Sequence, residues 1–479
     1  MTDFKVDAAV IGGGAAGMSA ARALADKGYS TLIVERENQL GGILLQCIHN
    51  GFGVHEFKEE LTGPEYAERW EEMVVGLDSS IPQVFLDTTV MELHYEGEGA
   101  GYTLVCVSPA KGFFHILADS VILTSGCRER NRGNIRIPGT RPAGVYTAGL
   151  AQRMVNMEGL LPGKNAVIVG SGDIGLIMAR RLMWSGCKVH AVVEIQPYPS
   201  GLTRNIVQCL NDFKIPLYLS HVISKIHGKH RIEAVDITPL ENGRENPDKT
   251  FTIECDTLLL SVGLVPSSEL AQEAGAEINP VTGGPVVDGH LMTTVPGLFA
   301  AGNVLHVHDL VDFVSAEARR AGDGAARFLA QRRGDGLAPS AAASTGAGAV
   351  TGANTAGAAR PVAAGSGEVT GAGSGAPPPP ATAAMTDNGA SLEVRVRPGS
   401  NVRYVVPGSI DVYQPIPVMF RPMIVKNSAK LSIYLDGQLI REQKKAHVQP
   451  SEMVEIDTSK LDLGKMKLSK DSVLEVVLL

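Results

Sequence analysis

The chain has 479 residues, 44% hydrophobic and 20% charged, enough apolar material for about three domains of ~150 residues each. A formal net charge of -8 argues against nucleic acid or an anionic membrane as partner, and no apolar run reaches the about 18 residues that span a bilayer. Six cysteines, at positions 47, 106, 127, 187, 209 and 255, show no CxxC spacing and read as reduced thiols; with no basic leader before the first strand, a cytoplasmic location is expected.

The first predicted unit is "DAAVIGGGAAGMSAARALADKGYSTLIVERE": a strand at 8–11, Gly12-x-Gly14-x-x-Gly17, a small-residue helix, and a second strand ending at Glu35. Gly12 permits the tight turn, Gly14 lets backbone approach a pyrophosphate, and Gly17 lets helix and strand pack closely. The free N–H groups of Ala15, Ala16 and Gly17 at the helix start, with its partial positive charge, suit phosphates, and Glu35 suits ribose hydroxyls. Strand, glycines, helix, strand and acid in register make a strong dinucleotide signal.

Next comes "GGILLQCIHNGFG", residues 41–53, with the pair Gly41–Gly42, a lone Cys47 and His49. Its Asn50-Gly51-Phe52-Gly53 run predicts a tight turn. "DSVILTSGCRER", 119–130, is an apolar strand ending near Ser125 and Gly126, followed by a charged junction. The dinucleotide pattern returns at "NAVIVGSGDIGLIMARRLMWSGCKVHAVVE": Gly170, Gly172 and Gly175 open a helix that includes Asp173 and Ile174, and a strand ends at Glu194. Two such folds imply two dinucleotides. Glu194 would repel a 2′-phosphate, which favours NAD over NADP, and Arg204 is not obviously placed to reverse that. "DTLLLSVGLVPSS" repeats the strand-to-glycine ending at Gly263, and "TTVPGLFAAGN" reaches Gly302–Asn303 before a long helix. His306, His308, Asp309 and Asp312 raise the thought of a metal, but they precede or open that helix, where aspartates make good N-caps, and no metal site is assigned.

Residues 334–390 are mostly Ala, Gly, Ser, Thr and Pro, a composition that predicts a disordered linker. Beyond it, 391–479 alternates in period two, with Asp436–Gly437 as a hairpin turn, and predicts a small all-β domain, a sandwich.

Taken together these motifs resemble the two-dinucleotide-binding-domain flavoproteins, the pyridine nucleotide–disulfide oxidoreductase superfamily, over about residues 5–330. "QCIHNGFG", "GCRERNRGNIRIPGTRPAGVYTAG", "TGGPVV" and "GNVLHVHDLVDF" resemble more narrowly the FAD/NAD-dependent oxidoreductases that accompany a glycerol-3-phosphate-dehydrogenase-like flavoprotein, relatives of the subunits of sarcosine oxidase, opine oxidase and cyanide synthase. The resemblance implies an α/β fold with an FAD domain at 1–128 and 268–333, an NAD(H) domain at 129–267 inserted in it, then the linker and the β domain. It adds Arg36, Gly41, Gly42, Ser125, Gly126, Gly263, Gly302 and Asn303 to the glycines and glutamates as cofactor contacts. The superfamily carries an Asp where Asn303 stands, and the helix after it points toward flavin N1 and O2.

The disulfide members place two close cysteines after the Gly41–Gly42 position. Here Cys47 has no close partner, and a disulfide relay needs two. The expectation is therefore hydride exchange between NAD(H) and FAD, with electrons passing to or from a partner dehydrogenase or other acceptor. The alternatives are an NADH oxidase or peroxidase using Cys47, with His49 as a second catalytic candidate, or a non-catalytic FAD-containing interaction subunit. Cys127 reads as structural.

Overall fold

The structure, a computed structural model, describes residues 3–75, 83–97, 99–334, 392–469 and 471–479. The expected linker lies outside these, apart from Gly334.

Three bodies of secondary structure follow from the sequence patterns. In the first, strands β1 (Asp3–Ile11) and β2 (Thr31–Val34) flank helix α1 (Ala15–Ala25). A long strand, β3 (Gly112–Leu123), lies on the other side of β1. Gln83–Phe85 and Leu298–Ala300 complete a parallel run in the spatial order 83–85, β2, β1, β3, 298–300. Where β1 and β2 pair, Ala8–Ile11 against Thr31–Val34, all but Thr31 are apolar because both faces of a parallel sheet are covered. Two antiparallel strands, Thr89–Tyr95 and Tyr102–Ser108, extend the sheet from the exposed half of β3. α1 packs on the long helix Val311–Arg333, where Gly322 lets the helices approach: a methyl group there would lie 2.6 Å from the Ala20 carbonyl oxygen.

The second body contains α2 (Ala148–Asn156), β4 (Asn165–Val169), α3 (Asp173–Trp184), β5 (Lys188–Glu194) and β6 (Thr257–Leu260). Its five-stranded sheet is parallel throughout, in the order 145–147, β6, β4, β5, 217–219. An antiparallel layer, His221–His227, Ala234–Glu241 and Phe251–Glu254, shares a core with it through Ile226, Val235, Val167 and Leu258. The chain crosses between the two bodies twice, on short strands that pair antiparallel, Cys127–Glu129 with Leu264–Pro266.

The third body, from residue 392, is a sandwich of a five-stranded and a three-stranded sheet around its own apolar core. Asp436 and Gly437 both adopt positive φ, 49° and 83°, at the turn between Lys426–Leu435 and Gln438–Val448, as a two-residue hairpin loop requires. No helix of the described residues is long and apolar enough to cross a membrane.

Candidate functional site

The glycines of the first motif divide into structural and open positions. A methyl group on Gly17 would lie 1.7 Å from the Gly12 carbonyl oxygen, so only glycine lets α1 pack this close to the end of β1. A methyl group on Gly14 would meet nothing within 4 Å. Gly14 is the N-cap of α1, with no side-chain cap bond and no acid in the first turn. The N-terminus of α1 therefore has open space beside Gly14 under the helix dipole, which fits a pyrophosphate. Glu35, buried at the end of β2, accepts from Gly13 N at 2.6 Å and from Glu37 N at 2.8 Å. Gly41 donates to the Gly13 carbonyl at 2.9 Å, and Gly302 packs on the Ala16 methyl. Gly12, Gly14, Gly41, Gly42 and Gly302 are thus gathered at one mouth. Arg36 lies outside the cluster and points to solvent.

The second motif repeats the device. Gly170, at φ 94°, faces the Ser261 carbonyl, and Gly175 faces the Gly170 carbonyl, each too close for a side chain. A methyl group on Gly172 would meet nothing within 4 Å. Glu194 is buried at the end of β5, where its Oε2 accepts from Ser171 N (2.8 Å), Ser171 Oγ (2.6 Å) and Ser200 Oγ (3.2 Å), and its Oε1 from Gln196 N (3.0 Å). Asp173 is used locally, accepting from Leu202 N and Asn205 Nδ2 to fix the turn at 202–205. Ile174 is partly exposed beside it.

Ser125 and Gly126 hold the crossover at Ser267, through Ser125 Oγ to the Ser267 carbonyl (2.9 Å) and Ser267 N to the Gly126 carbonyl (3.0 Å). Gly263 accepts from Arg130 N across the same junction. Asn303 accepts from His308 N at 3.0 Å and turns its Nδ2 toward Cys127 Sγ at 3.7 Å.

The stretch 41–53 lies between the two bodies. Gln46 donates to the Gly149 carbonyl (2.8 Å) and to Gln152 Oε1 (3.0 Å), and accepts from Asn156 Nδ2 (2.8 Å), all on α2. No sequence signal points to Gln46, Gln152 or Asn156, since amides on a helix carry no spacing signature. Cys47, 6% exposed, lies 3.8 Å from Gln152 Oε1. All six cysteines are free thiols. Burial pushes the Cys47 thiol up to about 12, and Cys127 up to about 11. His49 faces Arg180, Arg204 and Asp173 of the second body. Burial, then the two guanidiniums, hold it below the ordinary histidine range against the pull of Asp173. Arg204 Nη2 reaches toward Gly51, so it serves the contact between bodies rather than the Glu194 pocket.

A thiol so placed should be unreactive. In the native protein at pH 8, iodoacetamide should label Cys47 at least about 100-fold more slowly than a free cysteine, because the thiolate is the nucleophile. Peptide mapping after timed quenching checks this; labelling as fast as free cysteine would show Cys47 to be exposed and ionised.

The metal reading of 306–312 is redistributed by the fold. His306 Nε2 and His308 Nε2 lie 2.9 and 3.3 Å from Glu317 Oε2, and His308 Nδ1 donates to the His306 carbonyl. Burial alone would raise the Glu317 carboxyl, but the charges of His308 and His306 and their hydrogen bonds hold it well below the usual carboxylate range. The three ligand atoms are close enough to share a cation. However, His306 Nδ1 is buried with no hydrogen-bond partner, whereas metal-bound histidines almost always have one there, and the charge of Arg421 bears on the same ring. Hydrogen bonding accounts for this geometry. The aspartates are not N-caps: the cap of the long helix is Leu310, Asp312 accepts from Glu56 N, and Asp309 pairs with Arg421 of the third body.

Residues 6–324 match the family described as Pyridine nucleotide-disulphide oxidoreductase. Hydrogen cyanide synthase subunit HcnB of Pseudomonas protegens is 25% identical over 291 residues, covering 56% of this chain and 59% of that protein. An opine oxidase subunit of Agrobacterium tumefaciens is 24% identical over 320 residues, covering 63% and 62%. The chain therefore spans less than two thirds of the length of these two relatives. The solved thioredoxin reductase of Lactococcus lactis superposes with a TM-score of 0.56 at 21% identity, covering 68% of this chain and 99% of that one, a likeness of fold. The family uses FAD and NAD(P)H, and both glycine mouths fit such cofactors. The chain belongs to the pyridine nucleotide-disulphide oxidoreductase family.

Proposed function

We propose that the first body takes FAD, the second takes NAD(H), and electrons pass between the flavin and an external redox partner without a redox disulfide. Bound FAD supplies two-electron chemistry and the nicotinamide a hydride. The chain binds the two pyrophosphates at the α1 and α3 N-termini, holds the adenosine riboses through Glu35 and Glu194, and brings the bodies together through Gln46, Gln152 and Arg204. The observation that carries the reading is Cys47 itself: a buried thiol against an amide oxygen, where the disulfide members carry a cysteine pair.

The opine oxidase relative is by its name one part of an oxidase, which supports an external partner. The resemblance of the sequence motifs makes a flavoprotein dehydrogenase of the glycerol-3-phosphate-dehydrogenase-like kind the donor or acceptor proposed. Cys47→Ser tests the reading. It should transfer electrons from NADH to an artificial acceptor at a rate within about twofold of wild type, with stability lowered by at most about 1 kcal/mol for a near-isosteric core change. A loss of transfer with the fold and FAD intact would make the thiol part of the relay and favour the peroxidase reading.

A further inference from the structure

The loop from Gly302 to Leu310 is held from two sides. On its own body, one buried carboxylate gathers it: Glu317 Oε1 accepts from Gly302 N at 2.8 Å, and Oε2 meets the imidazoles of His306 and His308. His308 N in turn orients the Asn303 side chain.

From the other side comes the β domain. Arg421, 8% exposed, forks onto Asp309, with Nη1 at 2.9 and 3.2 Å from its two oxygens and Nη2 at 3.0 Å from Oδ1. The same guanidinium donates to the Val307 carbonyl at 3.0 Å and to the Ser451 carbonyl at 2.8 Å. Met453 N adds a bond to Asp309 Oδ2 at 2.6 Å. Tyr404 and Val406 of the β domain belong to the apolar core of the first body, with the Tyr404 ring 6.2 Å from that of His306. A two-pronged guanidinium–carboxylate pair fixes orientation as well as distance. A domain merely tethered by a linker would have no reason to bury an arginine in this way.

We propose that the C-terminal β domain is a cofactor-retention element, in which Arg421 clamps the loop that carries Asn303 and so holds the flavin site in its binding geometry. The inference rests on the reading that Asn303 faces the FAD. It differs from what the sequence organisation implies, since every dinucleotide motif precedes Gly334 and the tail would then be dispensable for flavin binding.

The test uses the full chain and four variants, Arg421→Met, Arg421→Lys, Asp309→Asn and Asn303→Ala, with FAD affinity read by flavin fluorescence, flavin midpoint potential by dye equilibration, and folding by circular dichroism. Arg421→Met and Asp309→Asn should weaken FAD binding on the order of 10-fold or more and shift the midpoint potential, while Arg421→Lys recovers part of both. A loss of stability alone would leave the potential of the bound flavin unmoved. If Arg421→Met does not fold, Asp309→Asn and Arg421→Lys carry the comparison. Unchanged affinity and potential in Asp309→Asn and Arg421→Lys, with Asn303→Ala impaired, would overturn the clamp alone. Unchanged values in Asn303→Ala would overturn the reading beneath it.

Discussion

Gly17→Ala should cripple the first body, whereas Gly14→Ala should leave it folded and without tight FAD. The two glycines lie in one motif, yet their surroundings differ completely. At Gly17 an added methyl group would lie 1.7 Å from the Gly12 carbonyl oxygen and 3.0 Å from Thr124 Oγ1, so α1 must move off β1. Overpacking against backbone belongs to the upper part of the usual range, about 3 kcal/mol or more. For a body of this size that lowers Tm by at least ~6 °C. Gly14 has φ −76°, a value that any residue adopts, and open space around it. Alanine there should change stability by no more than about 0.5 kcal/mol. It would nevertheless fill the space a phosphate needs, so FAD affinity should fall on the order of 100-fold, about 2.7 kcal/mol. Thermal melts of the apoproteins with FAD titrations separate the two effects. A Gly14→Ala protein that keeps wild-type affinity would remove the pyrophosphate from this mouth.

The second large effect is expected at Glu194. Its carboxylate is held by Ser171, Ser200 and Gln196, and Oε1 carries one of its four hydrogen bonds, which leaves that oxygen room for a ribose hydroxyl. Glu194→Ser should cost roughly 1.5–3 kcal/mol of NADH binding, the range for a hydrogen bond to a charged group. Adding Ser200→Arg in the same variant places a cation where Ser200 Oγ now meets the carboxylate, and preference should move toward NADPH. Steady-state kcat/KM for both nucleotides, with melts to confirm folding, measures the shift. Equal use of NADH and NADPH by the wild type would contradict the assignment.

Both dinucleotide units are legible in the sequence because their chemistry is local. Glycines at fixed offsets, apolar strands and a terminal acid all lie within about 30 residues, the length of one βαβ unit. The Asp436–Gly437 hairpin is legible for the same reason. What escapes is long-range. Glu317 looks in sequence like one acid among many on a helix, yet it is buried and gathers Gly302, His306 and His308. Arg421 lies 112 residues from Asp309, across a segment whose composition suggests separation. The aspartates expected as N-caps are drawn to partners on other elements, a case of tertiary contacts overriding local capping preference. His49 and Cys47 stand out in the sequence as residues to explain, but only the fold sets one against Arg180 and Arg204 and the other against Gln152.

Anaerobic titration of the FAD-loaded protein with NADH tests most directly the proposal that the chain passes electrons without a thiol pair. Absorbance at the flavin band and at longer wavelength is followed as reductant is added. A single thiol cannot store two electrons without a partner or prior oxidation, and burial pushes the Cys47 thiol up to about 12. One equivalent of NADH should therefore bleach the flavin fully, with no long-wavelength thiolate band. A requirement for two equivalents, falling to one in Cys47→Ser, would contradict direct transfer from the flavin and make Cys47 a redox centre.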